Sequence, residues 1–261
     1  MIYNSREVVE AIGRVGASYD GEKARYLSSF WLYVEPDDTA FTVHHADGFW
    51  EAWITKWISE QFDSHDVFWD VGANVGYYTM MAATHGMKTI SVEPQKHLLE
   101  LMMKSASING LTNTIEFVGV ALSDKKGEIY LATPAGHSGA GFITDEVPTS
   151  EGWGWQAEVV LQNTWDETFV SAISGERHLI KIDAEGAEPK IWKGMEKFRK
   201  NNKFTMLLEW APSRYEDAGQ FADELLQYGD VSFVNGAGYE QPVAKDYLLS
   251  IPDFEMVVVR N

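Results

Sequence analysis

The chain has 261 residues, 45% of them hydrophobic and 13% aromatic, which is enough for a sizeable core in one large domain or one domain with a cap. Its 21 Lys and Arg face 39 Asp and Glu, a formal charge of −18 that repels phosphate backbones and anionic headgroups and argues against bulk binding to nucleic acid or membrane. There is no cysteine, so disulfides, thiolate zinc sites and cysteine nucleophiles are excluded.

In chain order, the opening MIYNSREVVEAIG lacks the charged-then-apolar pattern of a signal peptide. No apolar run approaches the ~20 residues that span a bilayer, and the expectation is a soluble, cytoplasmic protein. Residues 1–62 read as a mainly helical N-terminal cap. Val8, Val9, Ile12 and Val15 share one helical face, and Ala24, Leu27 and Trp31 another. Residues 39–44 alternate like a short strand. Trp50, Trp53, Ile54, Trp57 and Ile58 then fall on one stripe of an amphipathic helix. That stripe reads as core against a sheet, with Phe49 and Trp50 at its start placed to line a pocket. A cap so rich in tryptophan also offers a surface for homo-oligomerisation.

From residue 63 to 261 strands and helices alternate. Strands are expected at 66–71, 88–93, 115–120, 178–183, 204–210, 230–235 and 254–260, and helices at 76–85, 95–109, 164–174, 187–199 and 214–228. Leu98, Leu101, Met102 and Ile108 form one face of the second helix. Thr164 with Glu167, and Ser213 with Glu216, have capping-box spacing. The basic cluster of Lys193, Lys197, Arg199, Lys200 and Lys203 reads as a solvated helix end. Such alternation predicts an α/β fold, a seven-stranded, mostly parallel sheet with helices on both faces. Residues 127–162 interrupt the rhythm with GEIYL, a glycine-rich loop and AEVVLQ, read as an inserted pair of strands carrying a long loop of functional character. Trp153 and Trp155 in that loop either stack on a sugar ring or pin the loop to the core.

The most informative stretch is VFWDVGANVGYYTMMAA at 67–83, a strand, a glycine turn and a helix. Its turn, Gly72-Ala73-Asn74-Val75-Gly76, has neither the three glycines of a dinucleotide turn nor the lysine of a P-loop. The next strand ends in Glu93, about 20 residues on, where an acid accepts hydrogen bonds from two ribose hydroxyls. A ligand with a ribose but no strong phosphate anchor follows, and S-adenosylmethionine fits, with Asp70 near its amino group. A nicotinamide-dependent oxidoreductase shares the ribose-binding acid but calls for the missing glycine. A non-catalytic binding module calls for a degraded turn. Nucleobase N-methylation calls for an Asn/Asp-Pro-Pro-aromatic tetrad where this chain has Asp183-Ala184-Glu185-Gly186.

DVGANVGYYTM (70–80), SVEPQ (91–95), SINGL (107–111), VALSDKKGEIYL (120–131), LIKIDAEGAEPKIWKG (179–194) and LLEW (207–210) together resemble the FkbM-type S-adenosylmethionine-dependent methyltransferases. The resemblance implies a Rossmann-like class I methyltransferase fold and O-methylation of a small-molecule or glycan acceptor. It implies that Asp70, Gly72, Ala73, Asn74, Gly76 and Tyr77 surround the methionine part of the cofactor. Glu93 and Pro94 would hold the ribose, Val120, Ala121 and Leu122 would lie against the adenine, and Asp183 would sit beside the methyl group. Where the family carries Leu-Asp before the fourth strand, this chain has Trp165-Asp166. Asp183, Glu185 and Glu188 crowd after one strand and Glu209 ends the next. Crowded carboxyls raise one another's pKa, which suits a general base. They also suit a divalent cation through oxygen ligands, and Glu185 suits a helix cap. His137 in the long loop is a second candidate base, and His44 and His45 precede the cap helix.

Overall fold

The computed structural model describes residues 18–19, 23–27, 29–35, 38, 48–147, 154–170 and 176–261. The expected helical face at Val8–Val15, the strand at 39–44, His44, His45 and Trp153 lie outside these residues. In chain order the elements are β1 (Ser18–Tyr19), β2 (Lys23–Tyr26), β3 (Phe30–Tyr33), α1 (Ala52–Gln61), β4 (Val67–Val71), α2 (Tyr77–Thr84), β5 (Lys88–Val92), α3 (Lys96–Ile108) and β6 (Ile115–Val118). They continue with β7 (Ala121–Leu122), β8 (Gly127–Pro134), β9 (Phe142–Thr144), β10 (Trp155–Asn163), α4 (Trp165–Thr168), β11 (His178–Ile182), α5 (Glu188–Gly194), α6 (Glu196–Asn201) and β12 (Phe204–Trp210). The last are α7 (Ala218–Tyr228), β13 (Asp230–Val234), β14 (Glu240–Pro242), α8 (Lys245–Ser250) and β15 (Glu255–Arg260).

Eight strands form the main sheet in the order β14-β13-β15-β12-β11-β4-β5-β6. From β12 to β6 every pairing is parallel, whereas β15 runs antiparallel to both β12 and β13. The expected seven strands are present, and β14 adds an eighth as a hairpin edge on β13. Strand VFWDV is buried at every position because both faces of the sheet are covered. Its side chains alternate between two cores: Phe68 joins α1 and α2 on one face, and Val67, Trp69 and Val71 join α4 to α7 on the other. The chain leaves β4 toward β5 and β6, then returns to β11 on the opposite side of β4. The crevice between the tips of β4 and β11 is therefore a topological switch point, where open α/β sheets take their ligands.

The segment containing Ala24, Leu27 and Trp31 is not helical. β2 and β3 form a hairpin across a turn that holds Leu27 at φ 50, and Phe30, Trp31, Leu32 and Tyr33 alternate in burial. Main-chain groups of β3 are held on α3, with Trp31 N donating to Asn109 Oδ1 (2.9 Å) and Tyr33 N to Ser105 Oγ (2.8 Å). α1 begins after Trp50 and buries Trp53, Ile54, Trp57 and Ile58. On α3, Leu98 and Met102 are buried as expected, but Ile108 is exposed and Ser105 and Ala106 complete the face.

The inserted strands pair along their length, Trp155 opposite Pro134 through Gln162 opposite Gly127. With β7 and β9 they make a separate four-stranded sheet. Three helices are shorter than their patterns. α4 has four residues, with Thr164 Oγ1 accepting from Glu167 N (3.1 Å). The helix at 187–199 breaks at Met195, and α6 restarts where Asp166 accepts from Lys197 N and Phe198 N. α7 starts at Ala218 and is capped by Asp217, not Ser213, because Pro212–Arg214 form a 3₁₀ turn. No helix among the described residues is long and apolar enough to cross a membrane.

Candidate active site

A cavity of about 430 Å³ opens at the switch point. Gly72, Ala73, Asn74 and Tyr77 line it from the turn after β4, and Glu93 and Pro94 from the tip of β5. Val120, Ala121 and Leu122 line a further wall, Asp183 and Glu185 follow β11, Glu209 ends β12, and His137 comes from the inserted loop. Asp70 and Gly76 lie behind this wall rather than on it. Asp70 is 1% exposed and accepts from Thr79 Oγ1 at 2.6 Å. Gly76 precedes α2 at φ +85, and a Cβ there would meet Met102 Sδ at 2.8 Å, so its role is packing. Gly72, at φ +74, sits so close to β11 that a Cβ would lie 1.8 Å from the Asp183 carbonyl oxygen. The two most informative motifs of the sequence therefore touch through their backbones. Ala121 and Leu122 do not extend the third strand, because they pair with β10 in the second sheet.

Glu93 is buried at the cavity wall. Its Oε2 accepts from Asn74 N and its Oε1 from Gln95 N, both at 2.9 Å. Burial, only partly offset by these bonds, raises its pKa to about 7. The Gln95 side chain adds a further bond, and because a carboxylate has about four acceptor sites, Glu93 can still accept from a ribose hydroxyl. The neighbouring wall of Val120, Leu122, Leu131 and Ile143 is apolar and suits the face of a base. These residues fit an adenosyl group. The 3₁₀ turn Ser138–Ala140 closes this end: Gln95 Nε2 donates to Ser138 O (3.1 Å), and Ser138 N and Oγ donate to Asp38 Oδ2 (2.9 and 2.5 Å).

At the other end Asp183, Glu185 and Glu209 each bring a carboxylate oxygen within 4.8 Å of the others. Arg214 Nη1 lies 2.6 Å from Glu185 Oε2 and 2.8 Å from Glu209 Oε2. Burial and the charge of Asp183 raise Glu185 to about 8 against the pull of Arg214, and the same causes hold Glu209 well above the carboxylate range. Glu185 stands at φ 52, which turns the chain back toward Glu188. Glu188 is fully buried and accepts from Ala184 N and Gly186 N, so it shapes the loop. The oxygen donors would suit a divalent cation, yet Arg214 already supplies their counter-charge, and a cation would have to displace it. Trp155 packs edge-on against Phe142 at 5.5 Å.

Tyr78, which with Tyr77 enters the helix after the glycine turn, lines the cavity, and three charged lining residues escaped the sequence reading: Glu51, Lys181 and Arg214. Tyr78 Oη donates to Glu51 Oε2 at 2.8 Å. Lys181 Nζ donates to Asp183 Oδ2 at 3.0 Å, lies 3.9 Å from Asp70 Oδ1 and sits over the Tyr78 ring. Burial disfavours its charge, but Asp183, Asp70 and Glu51 outweigh burial and keep it protonated. The signal was in HLIKI, where a lysine interrupts a fully buried strand in register with Asp70.

A mixed sheet of parallel strands with two reversed strands, β15 and the edge strand β14, and a cavity at the switch point with a buried acid in its wall, define a methyltransferase-like α/β fold. The model of the Methyltransferase FkbM domain matches residues 70–240, and the chain belongs to that family. Among solved structures, the methyltransferase FkbM of Methylobacillus flagellatus KT is similar at 11% identity and TM-score 0.47, over 97% of this chain and 58% of its own. Precorrin-6y C5,15-methyltransferase of Geobacter metallireducens GS-15 is similar at 9% identity and TM-score 0.39, over 78% of this chain and 87% of its own. The tRNA (uracil-54, C5)-methyltransferase of Pyrococcus abyssi, in complex with S-adenosyl-L-homocysteine, is similar at 12% identity and TM-score 0.44, over 93% of this chain and 45% of its own. This chain thus spans little more than half the length of the Methylobacillus protein. No protein of curated function matches the sequence.

Proposed function

We propose that the protein is an S-adenosylmethionine-dependent O-methyltransferase acting on a hydroxyl of a sugar or glycosylated small molecule. The observation that carries the reading is the pairing, in one cavity, of buried Glu93 with the cluster Asp183, Glu185 and Glu209. Glu93 would hold the ribose, and Val120, Ala121 and Leu122 the adenine face. The bound cofactor supplies an activated methyl carbon.

The remaining work falls to this chain's side chains. An alcohol must lose its proton as it attacks, and a positioned base contributes typically ~10²–10⁴-fold. Glu185, with its pKa raised to about 8, is a stronger base than an ordinary carboxylate in its ionised fraction, which grows as pH rises toward that value. Asp183 receives the Lys181 ammonium on one oxygen and keeps the other for the acceptor hydroxyl. Arg214 fixes Glu185 and Glu209 and limits how far their pKa values climb. Holding nucleophile and donor in line supplies effective molarities of ~10⁵–10⁸ M. The acidic surface favours an uncharged, polyhydroxylated acceptor over a polynucleotide. Transfer of labelled methyl groups to a panel of glycans, glycosides, nucleosides and RNA tests the reading. Label is expected on glycan or glycoside hydroxyls, and label on RNA alone would overturn it.

A further inference from the structure

We infer that Lys181 and Glu51 form a receptor for the α-amino-acid end of the methyl donor, with Lys181 taking its carboxylate and Glu51 its ammonium. The inference rests on the cofactor reading above. It moves the methionine contact away from Asp70, which is sealed from the cavity.

Three observations carry it. First, Lys181 is 3% exposed and lines the cavity, but among the described residues only Asp183 lies within hydrogen-bond distance of its ammonium. Asp70 Oδ1, at 3.9 Å, is too far for a hydrogen bond. An ammonium has three N–H donors, so two remain for a ligand in a buried place where unmade bonds are costly. Second, Glu51 lines the same wall, where the Tyr78 hydroxyl and the Trp50 side chain bond its carboxylate, and a carboxylate offers about four acceptor sites, so room is left for a ligand ammonium. Both charged groups therefore gather on Tyr78, the cation over its ring and the carboxylate at its hydroxyl. An opposed cation and anion side by side complement a zwitterion. Third, the position matches the length of the ligand. Glu93 and the apolar wall occupy one end of the cavity, the turn residues Gly72–Val75 line its middle, and Tyr78 stands one helical residue beyond Tyr77. The end of the ligand remote from the ribose would lie against Tyr78, next to Asp183, so the reacting sulfur falls between the two ends.

Calorimetric titration of the full chain tests this with three probes. They are S-adenosylhomocysteine, its decarboxylated analogue, and 5′-methylthioadenosine, which lacks the whole amino-acid group. Wild type is expected to bind S-adenosylhomocysteine roughly 10- to 100-fold more tightly than the decarboxylated analogue, the range of a lost charge-assisted bond. Lys181→Met should abolish that preference and leave 5′-methylthioadenosine affinity within about twofold. Should Lys181→Met fail to fold, Glu51→Gln gives a separate reading. It should weaken S-adenosylhomocysteine about tenfold or more and spare 5′-methylthioadenosine. Equal losses for all three probes, or an unchanged preference in Lys181→Met, would overturn the receptor while leaving the cofactor reading intact. Wild type binding none of the three would overturn the cofactor reading and the receptor with it.

Discussion

Gly72→Ala tests the joint on which the site is built. The new Cβ would stand 1.8 Å from the Asp183 carbonyl oxygen and 2.8 Å from its carbon, both main-chain atoms of the neighbouring strand tip, which cannot swing aside. Alanine at φ +74 costs about 1–2 kcal/mol from its own backbone. Forcing apart packed groups adds roughly 1–3 kcal/mol. The total of about 2–5 kcal/mol should lower the melting temperature by about 4–20 °C, at roughly 2–4 °C per kcal/mol for a chain of this size. Gly86→Ala is the control. Gly86 has φ +96 and nothing within 4 Å of a Cβ, so it carries the backbone cost alone. Thermal melts of the two variants isolate the contact, and Gly72→Ala should also lose S-adenosylhomocysteine binding while Gly86→Ala retains it. Equal melting shifts with equal binding would refute the claim that the turn and the Asp183 backbone are fitted to one another.

Glu93→Ala should weaken S-adenosylhomocysteine by about 1.5–3 kcal/mol in calorimetry, because a ribose hydroxyl loses a carboxylate; unchanged affinity would refute the ribose assignment. Asp183→Asn should slow turnover far more than it weakens S-adenosylhomocysteine, and full activity would move the base elsewhere. Arg214→Ala removes the cation that restrains Glu185 and Glu209, so their pKa values rise and the acid limb of the pH–rate profile should shift to higher pH. Stability without ligand should fall with rising pH. Glu51 and Glu93 are raised to about 7 and Glu185 to about 8 in the folded chain. The folded state therefore binds protons more tightly than the unfolded state. Stability is full below the ordinary value of about 4.5 and is lost as pH passes through 7 and 8. Melting temperatures across that window should decline, and Glu185→Gln should flatten the upper part of the decline.

The parallel sheet was legible because its strands are short apolar runs punctuated by glycine and acid, a pattern set by burial on both faces. VFWDV, TISVEP and IKIDAEG announced both themselves and the crevice between their tips. The hairpin at Lys23–Tyr33 was not legible, since Ala24, Leu27 and Trp31 also fall at helical spacing. The pairing of β2 with β3, and the bonds from β3 to Ser105 of α3 and to its C-cap Asn109, decide between the two. Helix ends were misplaced where a distant residue sets the cap, as Asp166 does for α6. Within the site, residue types at strand tips were readable, but depth was not. Asp70 and Asp183 both end strands, yet Thr79 and Lys181 enclose the first while the second reaches the cavity. Lys181 carried a legible signal, a cation inside a buried strand. Its meaning appeared only with the register that sets it opposite Asp70. Arg214 lies on a segment with no periodicity to mark it, and Glu51 falls beside the apolar stripe of α1, at its N-cap, where the pattern says nothing of its role.

The central claim is that this cavity holds an adenosyl methyl donor with its ribose on Glu93 and its sulfur toward Asp183. A co-crystal with S-adenosylhomocysteine measures this directly. The account predicts a ribose hydroxyl within about 3 Å of the Glu93 carboxylate and the sulfur facing the space bounded by Asp183, Glu185 and Glu209. A ligand bound with its ribose away from Glu93, or a cavity that takes NAD and rejects S-adenosylhomocysteine, would contradict it.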